Sequence, residues 1–392
     1  MNARPILILA AVTLLAALFA AVAAYNASPP ITPEDLLPSE LVPGLEDRAA
    51  EVRAIEIVAP AGSITLERRD ADGSGPSAWV VASSGGYPAR PEAVRRLLLG
   101  LADLEPAEPK TRVRERYGQL SLAPPDAETG AGTGVTLRDR GGAVVASLRF
   151  GDRADAGGRY VLPLEPSYDD GRSFLVRTAP EVAPDLTRWV DATVFRVPRE
   201  RVRAVMIDHP GDAEDVSISR PDRATSGFAL DEFPAGRSLR TPRAADAPAS
   251  SLSFVRFEGV VRRPADSPPP AGAVVTTVET FDGLRLEART WPAETAAGEP
   301  EVLWLEASAR PDAPIDPAAA APPGVAAEDA PSADQLRALA EEEAAALNER
   351  LAPWRFRVPA TRAQTMRQTM ADLLAPEEPV GPPASGSPGP SP

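Results

Sequence analysis

Hydrophobic and polar positions change rhythm several times along this chain. From Ile6 to Ala24 there is no charge. As a helix that run spans about 28 Å, close to the hydrocarbon thickness of a bilayer. The pattern therefore predicts a transmembrane anchor over residues 1–26. A stalk rich in proline and acid follows over 27–50. From Val52 the period shortens to two: "VRAIEIVAP", "SITLERRD" and "AWVV" read as short strands separated by turns. Gly85-Gly86 closes the third strand, and Pro91 suits a first helical position. Val94, Leu97, Leu98, Leu101 and Leu104 then fall at helical spacing, with Arg95, Arg96 and Asp103 off the stripe. A core-facing helix explains the leucines; a partner-binding face is the alternative. Strands return at "GVTLRD", "AVVASLRFG", "RYVLPL" and "SFLVRT".

The pattern then echoes itself. "RAIEIVAPAGSITLERRD" at Arg53 is answered by "RAVMIDHPGDAEDVSISRPD" at Arg203. Ile57 aligns with Ile207, Leu66 with Ile218, Arg68 with Arg220 and Asp70 with Asp222. "SAWVV" corresponds to "SGFAL", and "SSLSFVRFEGVV" stands where the first helix stood. The expected fold class is α+β: a transmembrane helix, then two related lobes of antiparallel strands with packed helices. The lobes are placed at 51–198 and 199–376.

Low-complexity segments interrupt the second lobe. "ARPDAPIDPAAAAPPGVAAEDAP" reads as a flexible proline-alanine insertion over 310–334. Ser332 and Gln335 then form a capping box for the helix "QLRALAEEEAAALNERL". "WRFRV" is a strand. Thr361 and Gln364 suggest a second capping box, opening a helix with Met366, Met370, Leu373 and Leu374 on one face. Residues 377–392 read as a disordered tail.

Charge orients the anchor. Arg4 precedes the apolar run; Glu34, Asp35, Glu40, Glu46 and Asp47 follow before Arg48 appears. That asymmetry places the N-terminus in the cytoplasm and the bulk of the chain outside. The competing reading is a cleaved signal peptide, since Ala21-Val22-Ala23 fits a cleavage site. Against it, the apolar run exceeds the roughly 7–15 residues of a signal core. The net charge of −15 argues against nucleic acid as a partner.

Candidate chemistry is sparse. There is no cysteine, which excludes thiolate catalysis, cysteine-ligated metal and disulfides. The one histidine, His209, lies in "MIDHPGDAED" beside Asp208, Asp212, Glu214 and Asp215. A histidine–carboxylate acid–base pair or a cation site is the functional reading. A solvated turn between two strands is the plainer one, and the spacing is not that of an EF-hand. Asp70 and Asp72 sit in a hairpin turn. Gly130, Gly132 and Gly134 precede a strand, whereas a nucleotide loop follows one. The basic run "KTRVRER" (Lys110 to Arg116) is a solvated face or a contact for an acidic partner or lipid head groups. No G-x-S-x-G elbow is present. No residue is assigned a catalytic, cofactor or metal role, and no cofactor is expected.

Several of these features together resemble a known family. They are the membrane span, the paired strands, the tryptophan strand "AWVV", the Tyr-Pro turn in "GGYPARPEAV", the leucine helix and "KTRVRERYGQL". With the closing "LNERLAPWRFRVPATRAQTMRQTMADLL", they resemble the domain of unknown function 4340 family from about Val52 to Leu374. The resemblance implies a bacterial envelope protein; with the apolar run and its flanking charge, the expected location is the inner membrane, single-pass, with the bulk of the chain in the periplasm. The resemblance also implies a setting near components of an ABC transporter of the gliding-motility type. It supplies no catalytic residues. The function expected is that of a membrane-anchored extracytoplasmic accessory or binding protein. The alternative is an envelope hydrolase with a site near His209 and its carboxylates.

Overall fold

A computed structural model describes residues 12–22 and 37–376, apart from 71–76, 167–169, 212–213, 296–297, 299 and 321–330. In chain order the first half contains β1 (Ala54–Ala59), β2 (Gly62–Arg69), β3 (Ala78–Val81), β4 (Tyr87–Pro88), helix α1 (Pro91–Ala102), β5 (Pro106–Pro109), β6 (Thr133–Arg138), β7 (Val144–Arg153), β8 (Arg159–Leu164) and β9 (Phe174–Val176). The second half contains β10 (Thr193–Phe195), β11 (Val202–Asp208), β12 (Val216–Ser219), β13 (Ala229–Leu230), β14 (Val255–Arg256), β15 (Gly259–Arg262), β16 (Val274–Thr280), β17 (Arg285–Pro292), β18 (Val302–Arg310), helix α2 (Ala333–Leu351) and β19 (Trp354–Pro359). The fold is α+β, and its strand pairings are antiparallel.

Residues 12–22 are helical, with Leu14, Leu15, Leu18 and Phe19 exposed. Among the described residues no helix is long and apolar enough to cross a membrane. The remainder of the expected anchor, 1–11 and 23–26, and the stalk to 36 lie outside the described residues, as do 321–330 and the tail 377–392.

Packing groups the chain into two interleaved units rather than the linear divisions 51–198 and 199–376. One holds the chain up to Ser63 with Arg95–Pro184; the other holds Ile64–Val94 with Asp185 onward. The side chains explain why the segment around β3 and β4 belongs to the second unit. Tyr87, 4% exposed, lies edge-on to Trp354 at 4.9 Å and to Phe257 at 5.4 Å. The Arg90 backbone N–H donates to the Trp189 carbonyl at 2.6 Å. Gly85 and Gly86 make the turn at φ of 69° and 85°, a left-handed conformation that favours glycine.

In the first unit the strands run β1-β6-β7-β8-β9-β5. The second unit has an eight-stranded order, β13-β12-β11-β16-β17-β18-β19-β15. Its last six strands repeat the order of the first unit, strand for strand. Leu66 opposes Val81 across β2–β3, as Ile218 opposes Leu230 across β12–β13. Alternation puts Ile55, Ile57, Val135 and Leu137 into one core, and Val205, Ile207, Val216 and Ile218 into the other.

Three local expectations change. α2 begins at a capping box of Ser332 and Gln335, as the sequence suggests. The stretch after β19, however, is not one helix opened by Thr361 and Gln364. It breaks into turns at Ala360–Ala363, Gln364–Met366 and Met370–Leu373, and the capping box there is Thr369 with Asp372. Its apolar residues are still buried. Second, no helix stands at "SSLSFVRFEGVV"; a 3-10 turn ends at Ser250, and a turn over 251–253 followed by the strands β14 and β15 takes the helix's place. Third, the described start of the proline-alanine insertion is docked, not extended into solvent. The Ala313 N–H donates to the Gly283 carbonyl at 3.1 Å, and Ala320 packs with Phe281 and Leu336.

Candidate binding cleft

The open face of the second sheet is built by strand alternation. With Val205 and Ile207 turned inward, β11 turns Ala204, Met206 and Asp208 outward. Met206 is directly opposite Ser217 on β12 and Thr277 on β16. Two adjoining depressions lie on this face, of about 560 Å³ and about 730 Å³. Both are lined by Met206, Ser217 and Asp231. Arg203, Arg220 and Glu279 line the first. Asp208, Glu214, Asp215, Glu232, Phe233 and Met370 line the second.

Asp231 is held by two serines, whose side chains point the same way because they are two residues apart on a strand. Ser217 donates to it at 2.6 Å, and Ser219 donates to its other oxygen. Burial pushes the Asp208 carboxyl above the ordinary aspartate range, and the charges of Asp215 and Glu287 push the same way. Among the described residues, none of Asp208, Glu214, Asp215, Asp231 and Glu232 is held in an ion pair. Elsewhere on the sheet, arginine meets acid. Glu287 is bound by Arg289 at 2.6 Å and Arg310 at 2.9 Å, and Glu279 by Arg285 at 2.8 Å.

His209 stands at the end of β11, and its contacts do not form an acid–base pair. Asp215 accepts a hydrogen bond from the His209 backbone N–H at 2.8 Å, not from the ring. The ring Nε2 lies 3.3 Å from the Arg367 carbonyl oxygen, and among the described residues Nδ1 is buried without a partner. Arg367 in turn donates to the Thr290 carbonyl at 3.1 Å, and Thr276 donates to the Met366 carbonyl. The histidine thus helps dock the chain after β19 onto the sheet. Asp212 lies outside the described residues. Among the described residues no group of three or more histidines or carboxylates is placed to hold a metal ion.

The other motifs resolve locally. Asp72 lies outside the described residues, and Asp70 directly follows β2. Gly130 packs against the Gly118 backbone in the loop before β6. In the basic run Lys110 pairs with Glu108 at 2.6 Å and Arg112 with Asp170. Tyr117, at its end, is buried and donates to the Gly171 carbonyl. Sequence reasoning missed the roles of Met206, Asp231 and Phe233. The signal for Met206 was present: in "RAVMID" it is a large apolar residue out of phase with Val205 and Ile207, on the side of the strand that carries Asp208.

No curated protein and no solved structure matches the chain. A family model described as Domain of unknown function (DUF4340) matches residues 79–273. The match takes in the tryptophan strand, the Tyr-Pro turn, the leucine helix, the basic run and the strands that frame the cleft up to β15, and over these residues the chain carries a DUF4340 domain.

Proposed function

We propose that this protein is a membrane-anchored, extracytoplasmic accessory or binding protein that works through the cleft around Met206 and Asp231. The observation that carries the reading is the makeup of that cleft: an exposed apolar floor beside carboxylates that have no ion pair within the described chain. Side chains left this way on a folded sheet mark a surface that contacts something else. The apolar run Ile6 to Ala24 and the acid that follows it support an anchor in the inner membrane with the bulk of the chain in the periplasm. The repeated strand order supports an origin by internal duplication. The family resemblance points to an ABC transporter component as the partner.

Two experiments test the reading. The chain has no cysteine, so Ser332→Cys introduces a unique label site. A membrane-impermeant maleimide should label it in spheroplasts; labelling only after lysis would refute the orientation. The double variant Met206→Ser, Phe233→Ser should fail to complement a deletion strain while keeping wild-type abundance, and His209→Ala should complement. Full complementation by the cleft variant would overturn the binding reading. Loss of complementation in a stably folded His209→Ala alone would favour a hydrolase.

A further inference from the structure

The cleft's composition narrows what can sit in it. Met206 is 46% exposed and Phe233 is 47% exposed, two large apolar side chains lining one depression. Met370 and Pro234 complete an apolar floor. Five carboxylates surround it: Asp208, Glu214, Asp215, Asp231 and Glu232. We propose that the cleft holds a basic amphipathic segment of a protein partner, with apolar side chains on Met206 and Phe233 and lysines or arginines against the carboxylates. This deepens the binding reading above and rests on it.

Charge complementarity selects this occupant. An acidic or phosphorylated segment would bring like charge to carboxylates that already repel one another. A small hydrated cation would leave the methionine and phenylalanine in water, and would gain nothing from them. A purely apolar segment would take the carboxylates out of water with no opposite charge to compensate them. A segment with both features satisfies both halves of the site. Direction is set as well. In the adjoining depression Arg203 and Arg220 offset Glu279 and Asp231, so the unbalanced negative charge, and with it the basic residues, belongs at the Asp208 end.

The test uses the full chain in nanodiscs of zwitterionic lipid, with empty discs subtracted. The probe is a fluorescent synthetic peptide of leucine and lysine in helical amphipathic order, read by anisotropy. Two control peptides replace leucine by serine or lysine by glutamate. The leucine–lysine peptide should bind, and its affinity should fall as salt rises. Phe233→Ser and the pair Glu214→Gln, Glu232→Gln should each weaken it about tenfold or more. Val58→Ser, on the open face of the first unit, should not. Thermal melts at wild-type temperature establish that each variant is folded, and the surface glutamines serve if the serine variant is not. Equal binding of all three peptides, no binding, or binding unchanged by both cleft variants would overturn the proposal. The general reading is judged separately, by complementation. If the cleft variants abolish complementation while peptide binding is unchanged, the cleft is functional but takes another ligand.

Discussion

Tyr87 should hold the second unit together through its ring, and its hydroxyl should make that unit sensitive to alkali. The ring is 4% exposed, and besides Trp354 and Phe257 it lies edge-on to Phe356 at 6.4 Å. Removing a buried aromatic side chain costs about 3–5 kcal/mol. Each edge-to-face pair adds about 0.5–1.5 kcal/mol beyond area burial. Tyr87→Ala should therefore sit at the upper end of that range and lower the melting temperature on the order of 10 °C. Tyr87→Phe keeps the ring and should cost much less at neutral pH. The hydroxyl then gives a sharper test. Burial pushes the Tyr87 pKa from 10.0 to about 12, with Arg350 opposing and Asp191 adding. A raised pKa means that the unfolded chain ionises first. The stabilisation is thus whole below pH 10 and is lost as pH rises from 10 through 12. Within that window the wild type should lose stability relative to Tyr87→Phe by on the order of 1 kcal/mol per pH unit. Urea titrations of the full chain in detergent at several pH values compare the two directly. Parallel pH profiles for wild type and Tyr87→Phe, or a loss below 1 kcal/mol in Tyr87→Ala, would refute the account of this cluster.

Three further outcomes are expected. Leu101 is fully buried and Leu99 is 45% exposed, so Leu101→Ala should cost about 2–5 kcal/mol and Leu99→Ala within about 0.5 kcal/mol, by thermal melts. A near-zero effect at Leu101 would mean that the stripe is not core. Arg220 donates to the carbonyls of Val202, Thr225, Arg199 and Glu200 and stacks on Phe228 and Phe281. Arg220→Lys should not restore this planar arrangement and should cost about 1.5–3 kcal/mol, read by denaturant midpoint. Burial alone would raise the Asp282 carboxyl, but hydrogen bonds from Arg201 and Thr280 hold it below its ordinary value. Its contribution is present above the ordinary aspartate pKa and lost as pH falls through the depressed one, so Asp282→Asn should flatten the acid limb of the stability profile.

Much of this architecture was legible in the sequence, because period-two alternation and leucine spacing report burial directly. "RAVMID" gave β11 its inward Val205 and Ile207, and "QLRALAEEEAAALNERL" gave α2 with its capping box. What escaped depended on contacts distant in sequence. Tyr87 joins the second unit only because Phe257, Trp354 and Phe356 surround it. Ile315 and Ala320 read as part of a proline-alanine linker, yet they dock beside Phe281, which lies on another loop. At the cleft, the acid around His209 was visible, but its use was not. Asp231 and Phe233 come from the loop after β13, a two-residue strand that no periodicity announces.

The two sheets share an inward pattern and differ outward, and this difference locates function. One inward row of directly opposed residues reads Ile55, Leu137, Ala146 in the first unit. The same row reads Val205, Val278, Leu286, Ala309 in the second. Both are apolar, as any core requires. The neighbouring outward row reads Glu56, Thr136, Ser147, Leu164 in the first unit. In the second it reads Met206, Thr277, Glu287, Ser308. Packing does not constrain these positions, so a methionine standing where the first unit has a glutamate is not explained by the fold. The first unit has its own depression of about 570 Å³, lined by Val58, Pro125, Ser147, Arg149 and Leu164. Asp126 is its one carboxylate, and Arg149 lies on the same face. A basic segment drawn to Asp208 and Asp231 meets an arginine there instead. The peptide that binds the second sheet should therefore ignore the first, although the strands beneath both run in the same order.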